Sequence, residues 1–136
     1  MLFVFISVAA NSYSQKTPPL ILGKDRILVG KEYQVNFHEK IKSFDQKDKI
    51  SFNGRQINSP FITREEGFPE LAYTTAIDSV TGNFTFSSEG KDPKGRTIRW
   101  HGSVSGLSIE GTALITNKKG KIVRQYSFTG TLLSKQ

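Results

Sequence analysis

Apolar and polar residues alternate along most of this chain, and this alternation limits the fold more than any other feature. In residues 32–41, Tyr33, Val35, Phe37 and Ile41 fall on one face of an extended strand, and polar residues fall on the other. No stretch of the sequence has a helical period long enough for the crossover helix that parallel strands need. The sequence therefore predicts an all-β fold with antiparallel strands.

Turn-forming residues divide the chain into about eight strands. Asn53 and Gly54 suit the positive φ angles of a two-residue hairpin turn, Gly82 ends a second turn, and residues 89–95 form a longer loop. The expected strands lie near residues 32–41, 48–52, 55–60, 71–78, 83–88, 95–105, 107–116 and 121–132. Strands joined in this order favour an up-and-down meander that is closed, or nearly closed, into a barrel. A two-sheet β-sandwich is the alternative.

Glycine recurs on the apolar faces of the last three expected strands. Gly102, Gly111 and Gly130 keep the period of two residues, so they belong to the scaffold rather than to a catalytic loop. Glycine occurs inside strands where a sheet bends sharply or where a bulky neighbour needs space. We expect these three positions to leave room for Trp100 and for inward phenylalanine rings, and we expect Trp100 to be buried.

The first residues have the properties of a secretory signal. The run MLFVFISVAA carries no charge and is too short to span a bilayer, and Ser12 and Ser14 have the size and spacing of a signal-peptidase site. We expect a signal peptide over residues 1–14, an extended N-terminal segment over residues 15–32 and a single β-barrel domain over residues 33–136. The expected location is periplasmic or extracellular, and no segment of the sequence is suited to a transmembrane helix.

Composition narrows the class of partner. The chain has no cysteine, so no disulfide stabilises it and no lipid is attached through a cysteine. Its formal net charge is +7, but the lysines are spread along the chain without an arginine-rich run, which argues against a nucleic-acid partner. We expect a monomer that needs no metal or other cofactor.

Four segments of the chain have a familiar pattern: DKISFNG, GFPELAY, GRTIRWHGSVSGLSIEGTALI and YSFTGTL. Their most specific part is the spacing W-x-G-x-V-x-G-x-x-I-x-G-T, which begins at Trp100. Across residues 48–133 the sequence resembles a group of small exported bacterial proteins of unknown function, which are themselves similar to lipocalin-like (calycin) domains. The resemblance implies a lipocalin-like barrel and does not imply an activity.

Residues suited to catalysis or to metal binding are few. His38 and His101 fall on polar strand faces, and no serine or carboxylate is spaced to complete a triad with either. The adjacent acids Glu65 and Glu66 are expected to solvate a loop rather than to form a two-carboxylate site. Two histidines and no cysteine leave no usual set of metal ligands. The sequence predicts no catalytic site and favours a binding protein.

Two ligand-binding regions follow from the strand assignment. The interior would be lined by six aromatic residues: Trp100, Tyr73, Phe84, Phe86, Tyr126 and Phe128. A meander places alternate connections at the same end of the barrel, which collects a basic rim of Lys91, Lys94, Arg96, Lys118, Lys119 and Lys121. A basic rim around an apolar interior suits a small amphiphilic or anionic ligand. The alternative is a surface-interaction module, such as an inhibitor or an envelope-associated protein, in which the aromatic residues fill the core and no small molecule binds.

Overall fold

The computed structural model describes residues 27–133 of the chain, and most of these residues lie in β-strands, with almost no helix. The strands are β1 Glu32–Glu39, β2 Phe44–Phe52, β3 Gln56–Asn58, β4 Leu71–Ile77, β5 Phe84–Lys91, β6 Thr97–Ser105, β7 Ser108–Thr116 and β8 Ile122–Leu132. A short π-helical turn, Ile62–Glu66, lies between β3 and β4. The all-β class expected from the alternating pattern is confirmed.

Each strand pairs antiparallel with its neighbours along the chain, and the last strand pairs with the first. The closing ladder between β1 and β8 runs from Tyr33 opposite Leu132 to Glu39 opposite Tyr126. The sheet is therefore a closed up-and-down barrel. The barrel expected from the sequence is confirmed, and the β-sandwich alternative is wrong.

The connections between strands alternate between the two ends of the barrel. One end, which we call the loop end, carries the connections 40–43, 59–70, 92–96 and 117–121. The other end, the tight-turn end, carries the connections 53–55, 78–83 and 106–107, and the chain enters the barrel there. The long connection 59–70 contains the π-helical turn, and we call it the lid.

The first hairpin differs from the sequence expectation. β1 ends at Glu39, and β2 begins at Phe44 rather than near residue 48. Ile41 was expected to face inward, but it lies in the turn and is 53% exposed. Glu39 occupies an inward position instead and is fully buried. The alternating pattern could not show this, because it identifies inward positions by their apolar residues. Glu39 is charged, and its carboxylate is buried where it accepts hydrogen bonds from the turn.

Aromatic side chains fill the interior of the barrel and pack against one another. Phe37 lies at the centre of this cluster, with its ring centroid 5.4 Å from that of Phe128, 5.7 Å from that of Tyr126 and 6.0 Å from that of Trp100. All four side chains are buried. Edge-to-face and tilted ring pairs of this kind add to the stabilisation from apolar burial.

Two of the three glycines of the last strands, Gly102 and Gly111, make room for aromatic rings, as the sequence predicted, whereas Gly130 lies against the backbone of β1. A Cβ atom on Gly102 would lie 2.5 Å from the ring of Phe86, and one on Gly111 would lie 2.7 Å from the ring of Phe128. A Cβ atom on Gly130 would lie 2.1 Å from a backbone carbonyl oxygen of β1. Any larger residue at these positions would displace a core ring or a neighbouring strand.

Residues 27–31 lead into the barrel at the tight-turn end. Leu28 is fully buried in the core, and the N–H of Gly30 donates to the carbonyl oxygen of Phe52 over 2.8 Å. The packed part of the chain thus begins before Tyr33. The expected signal peptide, residues 1–14, and most of the expected N-terminal segment, residues 15–32, lie outside the described residues. Within residues 27–133, no helix has the length and apolar character needed to cross a membrane.

Candidate functional site

The six aromatic residues proposed to line the interior lie where the sequence places them. Five of them are buried, and Phe84 is half-buried near the tight-turn end. Phe52 joins the group, with its ring centroid 5.1 Å from that of Phe86 and 5.0 Å from that of Tyr73. These side chains contact one another directly, so together they form the core of the barrel.

The lid packs onto the loop end of the barrel. Its residues Ile62 and Phe68 are buried, and the ring of Phe61 lies 5.6 Å from that of Phe37 and 5.5 Å from that of Tyr126. The lid therefore adds apolar side chains to the core at this end. The sequence suggested only a long loop here, because five helical residues are too few to produce a periodic pattern.

A carboxylate with little exposure to solvent holds the lid to the barrel. Glu66 lies 3.3 Å from the Nη1 atom of Arg96 and 3.3 Å from the Nε atom of Arg124, and it also accepts a hydrogen bond from the hydroxyl of Tyr126. Burial and the neighbouring Glu66 carboxylate raise the pKa of Tyr126 well above its usual range. The expectation that Glu66 solvates a loop is wrong. Glu65, its neighbour in sequence, is the exposed member of the pair.

The other three connections at the loop end share one arrangement, in which a side-chain oxygen accepts hydrogen bonds from the backbone of the turn. Glu39 accepts from the N–H groups of Ile41 and Lys42. Asp92 accepts from Lys94 and Arg96, and Asn117 accepts from Lys119 and Lys121. Several of the donors belong to lysines, so the backbone of each lysine faces the turn while its side chain extends into solvent.

The pKa values of the two carboxylates in these turns, Glu39 and Asp92, are lowered, which favours their ionised forms. Burial alone would raise the pKa of Glu39, but hydrogen bonds from backbone N–H groups, that of Gln125 above all, hold it below the usual value. Burial would likewise raise the pKa of Asp92, but the guanidinium of Arg96, whose Nε donates to Oδ2 over 2.7 Å, holds it low. Both negative charges are directed into the protein.

Lysine side chains cover the outside of the same turns. We call this surface the lysine arc, and its seven members are Lys40, Lys42, Lys91, Lys94, Lys118, Lys119 and Lys121. All seven are exposed, and no carboxylate of residues 27–133 forms an ion pair with any of them. Glu39 and Asp92 face inward in these turns while the ammonium groups face outward, which leaves the outside of the turns positive.

The structure brings together five of the six residues expected in the basic rim. Arg96 is the exception, because its guanidinium points inward to Asp92 and Glu66 and stacks 5.1 Å from the ring centroid of Phe68. The turns that carry the others are neighbours, since a Cβ atom on Gly95 would lie 3.4 Å from the Cβ of Lys118. Lys40 and Lys42, which the order of the strands also places at this end, complete the arc.

Two exposed isoleucines lie among these lysines. Ile41 lies between Lys40 and Lys42 in the first turn, and Ile122 follows Lys121 at the start of β8. Ile122 is 43% exposed. The two elements adjoin, because the N–H of Lys40 donates to the carbonyl oxygen of Gln125 over 2.9 Å. The lysine arc thus combines positive charge with accessible apolar side chains.

A groove of about 470 Å³ opens beside the lid. It is bounded by β2, the lid and the first residues of β8, with Phe44 and Phe61 forming an aromatic wall 6.4 Å between ring centroids. Lys47 and Arg64 supply positive charge. The groove does not open into the aromatic core, because Phe61 and Tyr126 pack across its base.

The outer face of the barrel holds the two histidines. Nδ1 of His38 lies 2.7 Å from Oδ1 of Asp45, and Ser127 lies opposite His38 in the ladder between β1 and β8. A nucleophilic triad requires a hydrogen bond between the serine and the histidine. That bond is missing from the contacts among residues 27–133, and His101 lies exposed elsewhere on β6. We therefore place the candidate site at the loop end.

No protein-family model matches this chain, and no curated protein matches it significantly. In the part of the chain that the structure describes, no group of three or more His, Cys, Asp or Glu side chains is placed to hold a metal ion. The candidate site is therefore defined by its geometry: the lysine arc, its isoleucines and the groove beside the lid.

Proposed function

We propose that the protein is a non-catalytic binding protein whose loop end attaches to surfaces of anionic amphiphiles, and to anionic lipid membranes in particular. The observation that carries the proposal is the lysine arc. Seven exposed ammonium groups lie on adjoining turns, and two acids of those turns, Glu39 and Asp92, are buried and hydrogen-bonded inside them.

The isoleucines favour an amphiphilic partner over a purely charged one. A lysine close to an anionic bilayer contributes about 1 kcal/mol of attraction, and the contributions of several lysines add. Ile41 and Ile122 are accessible beside these lysines, so they can enter the apolar part of a lipid layer while the ammonium groups contact headgroups. An acidic glycan would use the charges and gain nothing from the isoleucines.

The packed interior favours attachment at the surface over transport inside the barrel. A ligand inside would have to displace rings such as those of Phe37 and Phe128, whose centroids are 5.4 Å apart. Removing such packing from a core is strongly destabilising. The loop end can bind without any rearrangement of the core.

Vesicle binding tests the proposal. The full chain should sediment with vesicles of phosphatidylglycerol and phosphatidylcholine, should bind vesicles of phosphatidylcholine alone only weakly, and should dissociate as salt is added. Lys119→Glu should weaken binding roughly thirtyfold, since it removes one attraction and adds one repulsion of about 1 kcal/mol each. The matched control is Arg55→Glu, the same charge change at an exposed site of the tight-turn end.

A second pair of variants tests the apolar contribution. Ile41→Ser should weaken binding to the anionic vesicles at high salt, whereas Leu107→Ser, at an exposed position of the tight-turn end, should leave it unchanged. Equal binding to charged and neutral vesicles, or equal losses in the variants and their controls, would overturn the proposal.

We also propose that the protein is exported and belongs with the lipocalin-like proteins that its sequence resembles. The uncharged apolar run at residues 2–10 and the Ser12 and Ser14 pair support export. Expression of the full chain in a bacterial host should yield a periplasmic or secreted product that begins at Gln15. A product that stays in the cytoplasm at full length would contradict this.

A further inference from the structure

Part of β2 has a strand partner on one side only. β2 pairs with β1 along its whole length, from Glu39 opposite Phe44 to Glu32 opposite Ser51. On its other side it pairs with β3 only at Ser51 and Phe52. Residues 44–50 therefore have a free edge among the described residues, about 20 Å long at the usual rise of a strand.

The backbone groups of this edge point away from β1. The N–H of Asn53 donates to the carbonyl oxygen of Gln56, so the odd-numbered residues of this hairpin face the β3 side. The register between β1 and β2 is continuous, and residues of an antiparallel ladder alternate in direction. The N–H groups of Asp45 and Lys47 thus face the free side. The carbonyl oxygen of Lys47 accepts only the side-chain amide of Gln46, over 3.0 Å, among these contacts.

The groove beside the lid runs along this edge. Its lining includes Gln46, Lys47 and Asp48, three successive residues of β2. Successive side chains of a strand point to opposite faces of the sheet, so a groove that reaches all three lies beside the strand and not above one face. On its far side the groove is bounded by Pro60, Phe61, Arg64 and Glu65 of the lid.

Two of the acidic side chains in the groove are already hydrogen-bonded within the protein, whereas two of its basic side chains are exposed. The carboxylate of Asp48 is bonded to the lid, through the hydroxyl of Ser59 at 2.5 Å and the N–H of Phe61 at 3.3 Å. Glu66 is paired with arginines and with Tyr126, as described above. The side chains of Lys47 and Arg64 have no acidic partner among residues 27–133, and both are exposed. Glu65 is the one exposed acid of the lining.

We propose that this groove binds an extended acidic peptide segment, which adds to β2 as a further strand. The backbone of the peptide pairs with the N–H groups of Asp45 and Lys47 and with the carbonyl oxygen of Asp45, and its acidic side chains contact Lys47 and Arg64. An apolar side chain of the peptide packs against Phe44 and Phe61. Pairing along a free sheet edge is an established mode of peptide recognition, in which the backbone supplies affinity and side-chain pockets supply specificity. This surface is separate from the lysine arc and goes beyond the proposed attachment to lipids.

The charge of the groove favours an acidic peptide over two other possible occupants, which are a second copy of the chain and the residues that precede Ile27. A second copy of the chain would bring its own β2, in which Asp45 and Asp48 are balanced by Lys47 and Lys49, so that strand has no net negative charge. Residues 15–26 of this chain carry Lys16, Lys24 and Arg26 against Asp25, which is a net positive charge. An acidic segment complements Lys47 and Arg64, and these two alternatives do not.

The probe is a synthetic peptide of about seven residues with alternating glutamate and valine, which matches the length of the free edge. A peptide with lysine in place of glutamate is its control. Binding to the full chain is measured by fluorescence anisotropy, and hydrogen exchange of individual amides is followed by NMR. We expect the acidic peptide to bind and the basic one not to bind. We also expect the amides of Asp45 and Lys47 to exchange at least tenfold more slowly in the complex, while that of Thr129, which lies in a strand paired on both sides, stays unchanged.

Variants separate this site from the lysine arc. Arg64→Glu should weaken binding of the acidic peptide about tenfold and leave binding to anionic vesicles nearly unchanged. Lys119→Glu should do the opposite. Failure of vesicle binding alone would overturn the proposed function and leave this inference intact.

Three results would overturn the inference. The first is equal binding of the acidic and basic peptides, or no binding of either. The second is binding that leaves the amides of Asp45 and Lys47 unprotected, since charge attraction alone would then explain it. The third is slow exchange of these amides in the protein without peptide, which would show that a second copy or another part of this chain already covers the edge; sedimentation would distinguish the dimer from the monomer.

Discussion

The Oε2 atom of Glu39 accepts a hydrogen bond from the N–H of Gln125 over 2.8 Å, across a separation of 86 residues. The same oxygen accepts from the N–H of Ile41 over 3.1 Å. One buried carboxylate thus joins the turn between β1 and β2 to the start of β8, and these are the elements that carry Ile41 and Ile122. The shape of the proposed membrane-binding surface depends on this internal charge.

Glu39→Gln should destabilise the protein at neutral pH by about 1–3 kcal/mol, because the amide places a donor against N–H groups that need an acceptor. The pKa of Glu39 is held low in the folded protein, so its contribution is complete above about pH 4–5, where the unfolded carboxyl group is ionised. The contribution is lost as the pH falls through the lower folded value. Urea unfolding at pH 7 and near pH 2 measures the difference between wild type and variant, which should shrink in acid.

Glu110→Gln is the control for this experiment, because Glu110 is exposed on β7 and the substitution removes the same charge. It should leave stability nearly unchanged at both pH values. A Glu39→Gln variant whose deficit grew in acid would contradict the hydrogen bonding described here.

Glu66→Ala should loosen the lid without unfolding the barrel. The substitution leaves Arg96, Arg124 and the hydroxyl of Tyr126 without their shared acceptor, which should cost about 2–4 kcal/mol. Because Glu66 joins the lid to Arg96 and Arg124, we expect faster hydrogen exchange and faster limited proteolysis within residues 59–70. Glu65→Ala, at the exposed neighbouring position, is the control and should change neither measurement.

The strand order could be predicted from the sequence because it depends on local patterns, and a meander of eight strands then favours closure into a barrel. Alternation at residues such as Tyr33, Val35 and Phe37 identifies strands, and Gly54 marks a hairpin turn. The predictions went wrong where a buried group is polar. Glu39, the last residue of β1, faces inward, and Ile41 is exposed in the turn that follows. Apolar periodicity identifies inward positions by apolar residues, so it predicted the opposite orientation for Ile41.

The candidate site was predicted in part. The meander topology placed Lys118 and Lys94 at one end of the barrel, since alternate connections must share an end. The inward turn of Arg96 was missed, because it depends on Glu66, which is 30 residues away in the chain. The sequence does contain a pattern that marks these turns. At Glu39, Asp92 and Asn117, a side chain that can accept hydrogen bonds is followed within two to four residues by lysine.

Gly111→Val should destabilise the barrel by about 2–4 kcal/mol. Any Cβ atom at this position would lie 2.3 Å from the carbonyl oxygen of His101 and 2.7 Å from the Cα of Gly102, and backbone atoms cannot move aside as a flexible side chain would. Urea unfolding gives the measurement. Thr112→Val, the next residue on the outer face of the same strand, is the control and should change the midpoint little; equal effects at the two positions would contradict the packing.

Tyr33→Phe should leave stability unchanged or raise it by up to about 1 kcal/mol. The hydroxyl of Tyr33 is buried, and no group of residues 27–133 forms a hydrogen bond with it. Burial also raises the pKa of this tyrosine, since a charged phenolate would lose its solvation. Thermal unfolding of the variant measures the effect. Destabilisation by more than about 1 kcal/mol would show that the hydroxyl has a partner in the interior, such as a buried water.

Trp100 reports whether the barrel interior accepts a ligand. Its side chain is 3% exposed and its ring centroid lies 5.8 Å from that of Phe128, so its fluorescence should be blue-shifted and poorly quenched by iodide. Since the surrounding rings fill the space, a fatty acid added below its micelle-forming concentration should leave the spectrum unchanged while it still binds the lysine arc. A variant with Trp100→Phe and Leu107→Trp supplies the comparison, because residue 107 is 69% exposed and a tryptophan there should be quenched readily. If a fatty acid shifted the emission of Trp100, the six aromatic residues would have to be regarded as the lining of a ligand cavity, and the packed interior would no longer favour attachment at the surface over binding inside the barrel.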